Sequence, residues 1–366
     1  MKDFAYLMPT KLYFGKDCVL KNSDLFKSFG KKALIVTGHS SAKKNGSQND
    51  IISVLEKNNI DYCIFDEIEE NPMFDTVVRA GKTAVKEKAD FVIGIGGGSP
   101  MDSAKAIAFL AANPDEKPEF LFEKGEAKHL PVIEIPTTAG TGSEVTQYAI
   151  LTVPEKKTKV GISKRTFAEA ALLDAKYFES LPVRTTRNTA VDALTHLIES
   201  YLCTEHSLMS DMTAEKGMEI FKDCKEALIK GEFSYETREK LLTASTLAGI
   251  SIAQSQTSLP HSMGYYLTYF KHLPHGPANA QFTKAYMDFV PEQDRVAKIL
   301  SILNFKDTSE LDLFLRELVE RVSCTDEEIN EYADRMMNIP AKLATVSKKI
   351  SKAEMIELFR KSVKDY

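Results

Sequence analysis

Residues Phe91 to Ile95 (FVIGI) form a short apolar run that passes without a spacer into Gly96-Gly97-Gly98-Ser99-Pro100-Met101-Asp102. An apolar run of that length ending in glycines predicts a buried strand, and Ser-Pro behind it predicts a helix opening at once. The pattern places Ser99 at the N-cap, Pro100 at the first helical position and Asp102 at a capping-box-like position. Three glycines let the backbone approach an anion, and a helix N-terminus adds free N–H groups and a positive dipole end. A pyrophosphate suits such a turn. The run is not a complete G-x-G-x-x-G fingerprint, because Ser99 takes the last glycine position, and it lacks the G-K-[ST] ending of a P-loop. On these residues alone a tight turn without a ligand stays open.

The same strand-then-helix alternation fills the first half of the chain. Ala33–Thr37 ends at Gly38, Tyr62–Phe65 follows, and Val132–Ile135 ends at Pro136, with charged stretches such as Val77–Lys88 between them. Alternation of this kind predicts a parallel sheet covered by helices. A second small-residue loop, Pro136 to Glu144, follows the fourth apolar run and offers hydroxyls and glycines for phosphate, ribose or amide contacts. From about Arg184 the pattern changes. Ala190, Val191, Ala193, Leu194, Leu197, Ile198 and Tyr201 recur at helical spacing, and segments 208–229, 236–256, 294–304, 309–322, 326–338 and 352–363 follow suit. Proline at 182 discourages a helical residue before it. We therefore expect an α/β domain over 1–180 and an all-helical domain over 181–366.

Among 366 residues, 47 are basic and 52 acidic, a net charge of −5 that argues against a dedicated nucleic-acid binder. With 43% hydrophobic residues the chain can bury a large core. Cys18, Cys63, Cys203, Cys224 and Cys324 are odd in number and form no C-x-x-C pair, which predicts free thiols rather than a disulfide framework or thiolate zinc site. The first residues lack the apolar region of a signal peptide, and no apolar run nears the ~20 residues that span a bilayer. A cytoplasmic protein with no membrane association is the expectation.

Seven histidines are present. Asp192 and His196 stand i, i+4 and project from one helix face beside a broad apolar stripe. Buried Asp and His need partners, and a divalent cation would satisfy both. His261 lies in Leu259-Pro260-His261-Ser262-Met263-Gly264, and His275 in Pro274-His275-Gly276-Pro277. One carboxylate and three imidazoles suit Fe²⁺, Zn²⁺, Ni²⁺ or Co²⁺ rather than Ca²⁺ or Mg²⁺. No local rule ties His261 and His275 to Asp192, so each alone also reads as a hydrogen-bonded histidine.

Taken together these pieces resemble the iron-containing, group III alcohol dehydrogenase family over nearly the whole chain. The resemblance rests on Lys11-Leu12-Tyr13-Phe14-Gly15, Glu70-Asn71-Pro72, the Gly96–Asp102 turn, Thr137–Glu144, Asp192–His196 and Pro274-His275-Gly276. Ser262-Met263-Gly264-Tyr265 is similar to the 1,3-propanediol-dehydrogenase-like branch. The resemblance implies an N-terminal Rossmann-like dinucleotide-binding domain, a C-terminal all-helical metal domain and a cleft between them. It implies a metal held by Asp192, His196, His261 and His275, and a cofactor on Gly97, Gly98 and Ser99 with Asn71, Thr137, Thr138, Thr141, Lys159 and Phe178 lining its site. It also implies a homodimer with the strand near Tyr13 at the contact.

Two positions depart from the family pattern. Many members carry a second histidine four residues after the third ligand, where this chain has Tyr265. Tyr265 or His272 is therefore the candidate proton relay, although a tyrosine hydroxyl with an ordinary pKa near 10 suits neutral pH less well. NAD-preferring members often carry an aspartate where this chain has Gly38. Without that carboxylate, and with His39, Ser40, Ser41, Lys43 and Lys44 following, the expected cofactor is NADP rather than NAD. The expected reaction is Fe²⁺-dependent oxidation of small primary alcohols or diols and reduction of their aldehydes, with Zn²⁺ an alternative occupant in isolated protein. Glycerol-dehydrogenase-like, 4-hydroxybutyrate-dehydrogenase-like and dehydroquinate-synthase-like chemistry, or a non-catalytic NADP-binding protein, are the competing expectations.

Overall fold

The computed structural model describes residues 3–364, and those residues divide into two compact units. The α/β unit spans residues 8–138 and 142–181. Its sheet has six strands: β1 (Lys11–Phe14), β2 (Lys32–Thr37), β3 (Asp61–Phe65), β4 (Phe91–Gly96), β5 (Val132–Pro136) and, after a separate hairpin of β6 (Ile150–Val153) and β7 (Thr158–Gly161), β8 (Ala170–Leu173). The order is β1-β8-β5-β4-β2-β3, with every pairing parallel. All of β4 and β5 is buried, as expected of strands covered on both faces. Helices α1 (Ser47–Lys57), α2 (Phe74–Glu87) and α3 (Gly98–Ala112) fall between strands. The apolar core joins Leu34, Val36 and Val92 of the sheet to Val77 and Ala80 of α2 and Ile107 and Phe109 of α3.

The four strands expected from apolar runs are present, each extended by one residue at an end. β6, β7 and β8 carry no such isolated apolar signature. The helix start differs from expectation. α3 begins at Gly98 and Gly97 is its N-cap, so Ser99 is not the cap. Asp102 closes no capping box either. Its Oδ1 accepts from Ser143 Oγ at 2.6 Å and its Oδ2 from the Ile150 N–H at 2.9 Å. A glycine N-cap leaves the turn's N–H groups uncovered by side chain, which is what close approach of a ligand needs.

The helical unit comprises residues up to Leu7, Ala139–Thr141 and Pro182 onward. Chain order alone would assign Ala139–Thr141 to the α/β unit. Gly140 explains the grouping: it lies so close to the helix beneath it that a Cβ would sit 2.8 Å from Thr189 Cβ. The longer helices are α4 (Val183–Leu202), α5 (Leu208–Lys222), α6 (Tyr235–Ser255), α7 (Leu259–Lys271), α8 (His275–Phe289), α9 (Gln293–Leu303), α10 (Thr308–Leu318), α11 (Asp326–Met337) and α12 (Lys352–Val363). α4 packs against α5, α6 and α8, and α7 packs along α8. Ser207, Thr325 and Ser351 close genuine capping boxes in front of α5, α11 and α12.

Candidate functional site

α4 places Asp192, His196 and Glu199 at i, i+4 and i+7, one face of the helix, and all three are buried. His261 stands in the first turn of α7 and His275 is the first residue of α8. Gly276 lets α8 start against α4, since a Cβ there would lie 2.0 Å from the Asn188 carbonyl oxygen. Three helices thus bring the four predicted ligands to one place. Asp192 Oδ1 is 3.6 Å from His261 Nε2 and 4.0 Å from His275 Nε2. One ligand atom from each of Asp192, His261 and His275 lies within 4.8 Å of the others. The His196 ring stands 4.2 Å from the His261 ring, centroid to centroid. Donor atoms ~2.1 Å from a shared ion at tetrahedral angles are about 3.4 Å apart, so Asp192, His261 and His275 are near coordination geometry, with the His196 ring beside them.

The surrounding groups fix the cluster electrically. Burial alone would raise the Asp192 carboxyl, but the His196, His275 and His261 imidazoles outweigh it and hold the group well below the usual carboxylate range. Burial and the adjacent His261 push His196 down to about 4. Burial opposes charge on His261 too, yet Glu199 and Asp192 carry it up to about 9. His261 Nε2 is buried and has no hydrogen-bond partner. A buried nitrogen facing a carboxylate and two further imidazoles is the position a cation would fill.

Two members of the cluster escaped the sequence reading. Glu199 Oε1 is 2.5 Å from His261 Nδ1. Asn279 Nδ2 donates to Asp192 Oδ1 at 3.1 Å and lies 3.2 Å from His275 Nε2. The Asp192/His196 spacing carried a signal for Glu199, one further turn along the same face; Asn279 had only the i+4 spacing from His275. Tyr265 lies half-buried over the His275 ring, with centroids 5.5 Å apart and planes at 26°. His272 ends α7 with φ 56° and is exposed.

The cofactor candidates gather at the carboxyl ends of β4 and β5. Thr137 N–H donates to the Gly96 carbonyl at 2.8 Å, and a Cβ on Gly97 would lie 3.0 Å from Thr138 Oγ1. Asn71 adopts a left-handed φ of 58° and donates its N–H to Ser99 Oγ at 3.2 Å. Thr152 Oγ1 donates to the Asn71 carbonyl at 2.9 Å, and Lys159 pairs with Thr152 across the β6–β7 hairpin. Gly97, Gly98, Ser99, Thr138 and Lys159 are part-exposed. Phe178, by contrast, is packed into the interior with 2% of its surface open. Thr141 belongs to the helical unit. At Gly38 the Ile68 carbonyl oxygen would be 3.1 Å from a Cβ, and nearby Lys43 is paired with Asp66 at 2.5 Å.

A charged group lies buried behind this loop. Lys105 Nζ of α3 donates to the Ser143 carbonyl at 2.6 Å, to Ser143 Oγ at 2.9 Å and to the Tyr148 carbonyl at 3.0 Å. Glu134 Oε1 of β5 is 3.8 Å from Lys105 Nζ, too far for a hydrogen bond. Burial pushes the Glu134 carboxyl up to about 8; Lys105 opposes the shift, and Asp102 and Glu144 add to it.

The chain thus joins a parallel α/β unit with glycine and threonine loops at its strand ends to a helical unit with a buried Asp/His cluster. Residues 9–175 match the family described as "Iron-containing alcohol dehydrogenase", and residues 186–363 match "Fe-containing alcohol dehydrogenase family, C-terminal". The chain belongs to the iron-containing alcohol dehydrogenase family and is an oxidoreductase of that kind. It is 30% identical to an NADPH-dependent butanol dehydrogenase of Clostridium saccharobutylicum over 92% of this chain and 85% of that one. It is 32% identical to NADH-dependent butanol dehydrogenase B of Clostridium acetobutylicum (82% and 78% covered) and 31% identical to a 1,3-propanediol dehydrogenase of Klebsiella pneumoniae (84% and 79% covered). A solved iron-containing alcohol dehydrogenase from Thermotoga maritima superposes with TM-score 0.92 at 38% identity, covering 99% of each chain.

Proposed function

We propose that this chain is a divalent-metal-dependent, NAD(P)-linked alcohol dehydrogenase and aldehyde reductase for small primary alcohols or diols. Residues 1–180 serve the nucleotide and 181–366 the metal and substrate. The observation that carries the reading is the convergence of Asp192, His196, His261 and His275 from three helices around a buried, unpartnered His261 Nε2. These four residues would hold Fe²⁺, or Zn²⁺ in isolated protein. A divalent ion held there supplies Lewis-acid polarisation of a substrate oxygen, and the bound nicotinamide supplies or accepts the hydride.

The chain's own residues do the rest. The N–H groups of the Gly97-Gly98-Ser99 turn bind pyrophosphate, with Asn71, Thr137, Thr138, Thr141 and Lys159 completing the cofactor site. Phe178, packed into the interior, would contribute to that site through its packing rather than by contact with the nucleotide. Tyr265, stacked on His275, is the proton-relay candidate; the exposed helix-end position of His272 argues for a capping role. Gly38 leaves the end of β2 without a carboxylate, which supports NADP over NAD. Because Lys43 is already paired, His39, Ser40, Ser41 and Lys44 are the residues left for a 2′-phosphate. A homodimer through edge strand β1, where Leu12 and Phe14 are exposed, and a cytoplasmic setting complete the proposal. Among the described residues no helix is long and apolar enough to cross a membrane.

The test is anaerobic NADPH oxidation by butyraldehyde and 3-hydroxypropanal, with metal-free protein before and after Fe²⁺ addition and with NADH alongside. Activity that requires both Fe²⁺ and NADPH is expected. Activity with NADH alone would remove the NADP assignment and leave the metal reading standing. No activity with either cofactor would overturn this substrate class.

A further inference from the structure

We propose that Glu199 is the positioning residue for His261, setting which ring nitrogen His261 turns toward the cation site. The inference rests on the metal reading above and goes beyond it, because Glu199 is not one of the four ligands. Glu199 lies one turn beyond His196 on the face of α4 that carries Asp192, and it is 1% exposed. A carboxylate so buried must be fully engaged or very costly.

Its engagement is with the first turn of α7. Glu199 Oε2 accepts from the Ser258 N–H at 2.7 Å and from the His261 N–H at 3.4 Å, while Oε1 accepts from His261 Nδ1 at 2.5 Å. Ser258 is the N-cap of α7 but its side chain caps nothing. Its hydroxyl bonds Thr345 Oγ1 instead, at 2.8 Å. Pro260 removes one further N–H from the turn. The helix carrying His261 is therefore capped in trans by a side chain from the helix carrying Asp192 and His196. The two partners are 62 residues apart in the chain.

The consequence is chemical as well as structural. With Nδ1 engaged by Glu199, Nε2 is the ring nitrogen left to ligate a cation, and it is the atom 3.6 Å from Asp192 Oδ1. A carboxylate behind a ligating imidazole fixes the tautomer and raises its basicity as a ligand. Asp192 and Glu199 also bring two negative charges to the buried cluster, matching a divalent cation. Glutamine is nearly isosteric with Glu199 but puts an NH2 donor where one carboxylate oxygen accepts, so it opposes either the Ser258 N–H or His261 Nδ1 with another donor.

The test is Co²⁺ titration of metal-free protein, followed by visible absorption, in the wild type, E199Q, H261A and T345V. The expected result is Co²⁺ binding roughly 10- to 100-fold weaker in E199Q, with a changed absorption envelope, and near-wild-type behaviour in T345V. Wild-type affinity and spectrum in E199Q, with binding lost in H261A, would overturn the role of Glu199 alone. Wild-type Co²⁺ binding in H261A would instead remove the ligand reading beneath it. Equal losses in E199Q and T345V would reduce the effect to loosening of the α7 start. Should E199Q not fold, E199D keeps the charge but shortens the reach; weakened binding supports the proposal and unchanged binding overturns it.

Discussion

The two units solve the problem of a binding site in opposite ways. In the α/β unit, β4 turns directly into α3, and the nucleotide site proposed there rests on backbone N–H groups at Gly97, Gly98 and Ser99. In the helical unit the proposed site is made of side chains, and its grouped members Asp192, His261 and His275 come from three different helices. A backbone site depends on what is absent at each position, chiefly a Cβ. A side-chain site depends on what is present, and on the packing that brings distant segments into register. The first should therefore fail gradually under substitution, and the second abruptly.

Asp192→Ala gives the largest expected effect. It removes the one carboxylate facing both His261 and His275, and kcat/KM should fall by ~1,000-fold or more, in line with the several kcal/mol that metal activation contributes. Metal content by plasma emission should fall with it, while NADPH binding, read by fluorescence, persists. Loss of NADPH binding in the same variant would break the division of labour between the units. Gly97→Val tests the other side. A side chain there enters the space beside Thr138 Oγ1. The KM for NADPH should rise roughly tenfold or more with metal content unchanged, and an unchanged KM would remove Gly97 from the cofactor site. A smaller effect is expected from Gly38→Asp. The new carboxylate should lower the NADPH/NADH ratio of kcat/KM about tenfold, through repulsion of a 2′-phosphate and gain of a ribose acceptor. An unchanged ratio would place 2′-phosphate recognition elsewhere. The Ile68 carbonyl, close to any Cβ at that position, predicts lower thermal stability alongside.

The same contrast decides what could be read from the amino acids alone. Strand, glycines and helix occur consecutively at 91–112, so the turn is legible as a unit, although its cap is Gly97 and not the Ser99 that the spacing predicts. Asp192 and His196 were visible because helical spacing pairs them. α7 and α8, which carry His261 and His275, show no helical periodicity in the sequence. Each puts a proline in its first turn, Pro260 and Pro277, and includes a glycine, Gly264 or Gly276. Each is also buried through its first turns, so no polar stripe shows its period. Glu199 was missed for a different reason: a helical glutamate is ordinarily a solvated residue, and only the approach of Ser258 and His261 reveals it as buried and bonded.

The Lys105–Glu134 pair offers the finest test, because there a charged side chain holds the chain at Ser143 and Tyr148 from behind. Glu134 titrates near 4.5 when exposed and about 8 in the folded chain, chiefly through burial. Between those values the folded protein keeps a proton that the unfolded chain releases. Stability from this group is therefore fully present below the unfolded value, declines as pH rises, and is gone above the folded value, with a slope of at most ~1.4 kcal/mol per pH unit. Glu134→Gln imitates the protonated acid at every pH and should remove that slope. Thermal melts at about pH 5 and about pH 9 should then show the variant gaining on the wild type as pH rises. Parallel melting curves would mean that Glu134 stays ionised against Lys105 throughout, and that the loop carrying Ser143 and Tyr148 rests on a true buried ion pair.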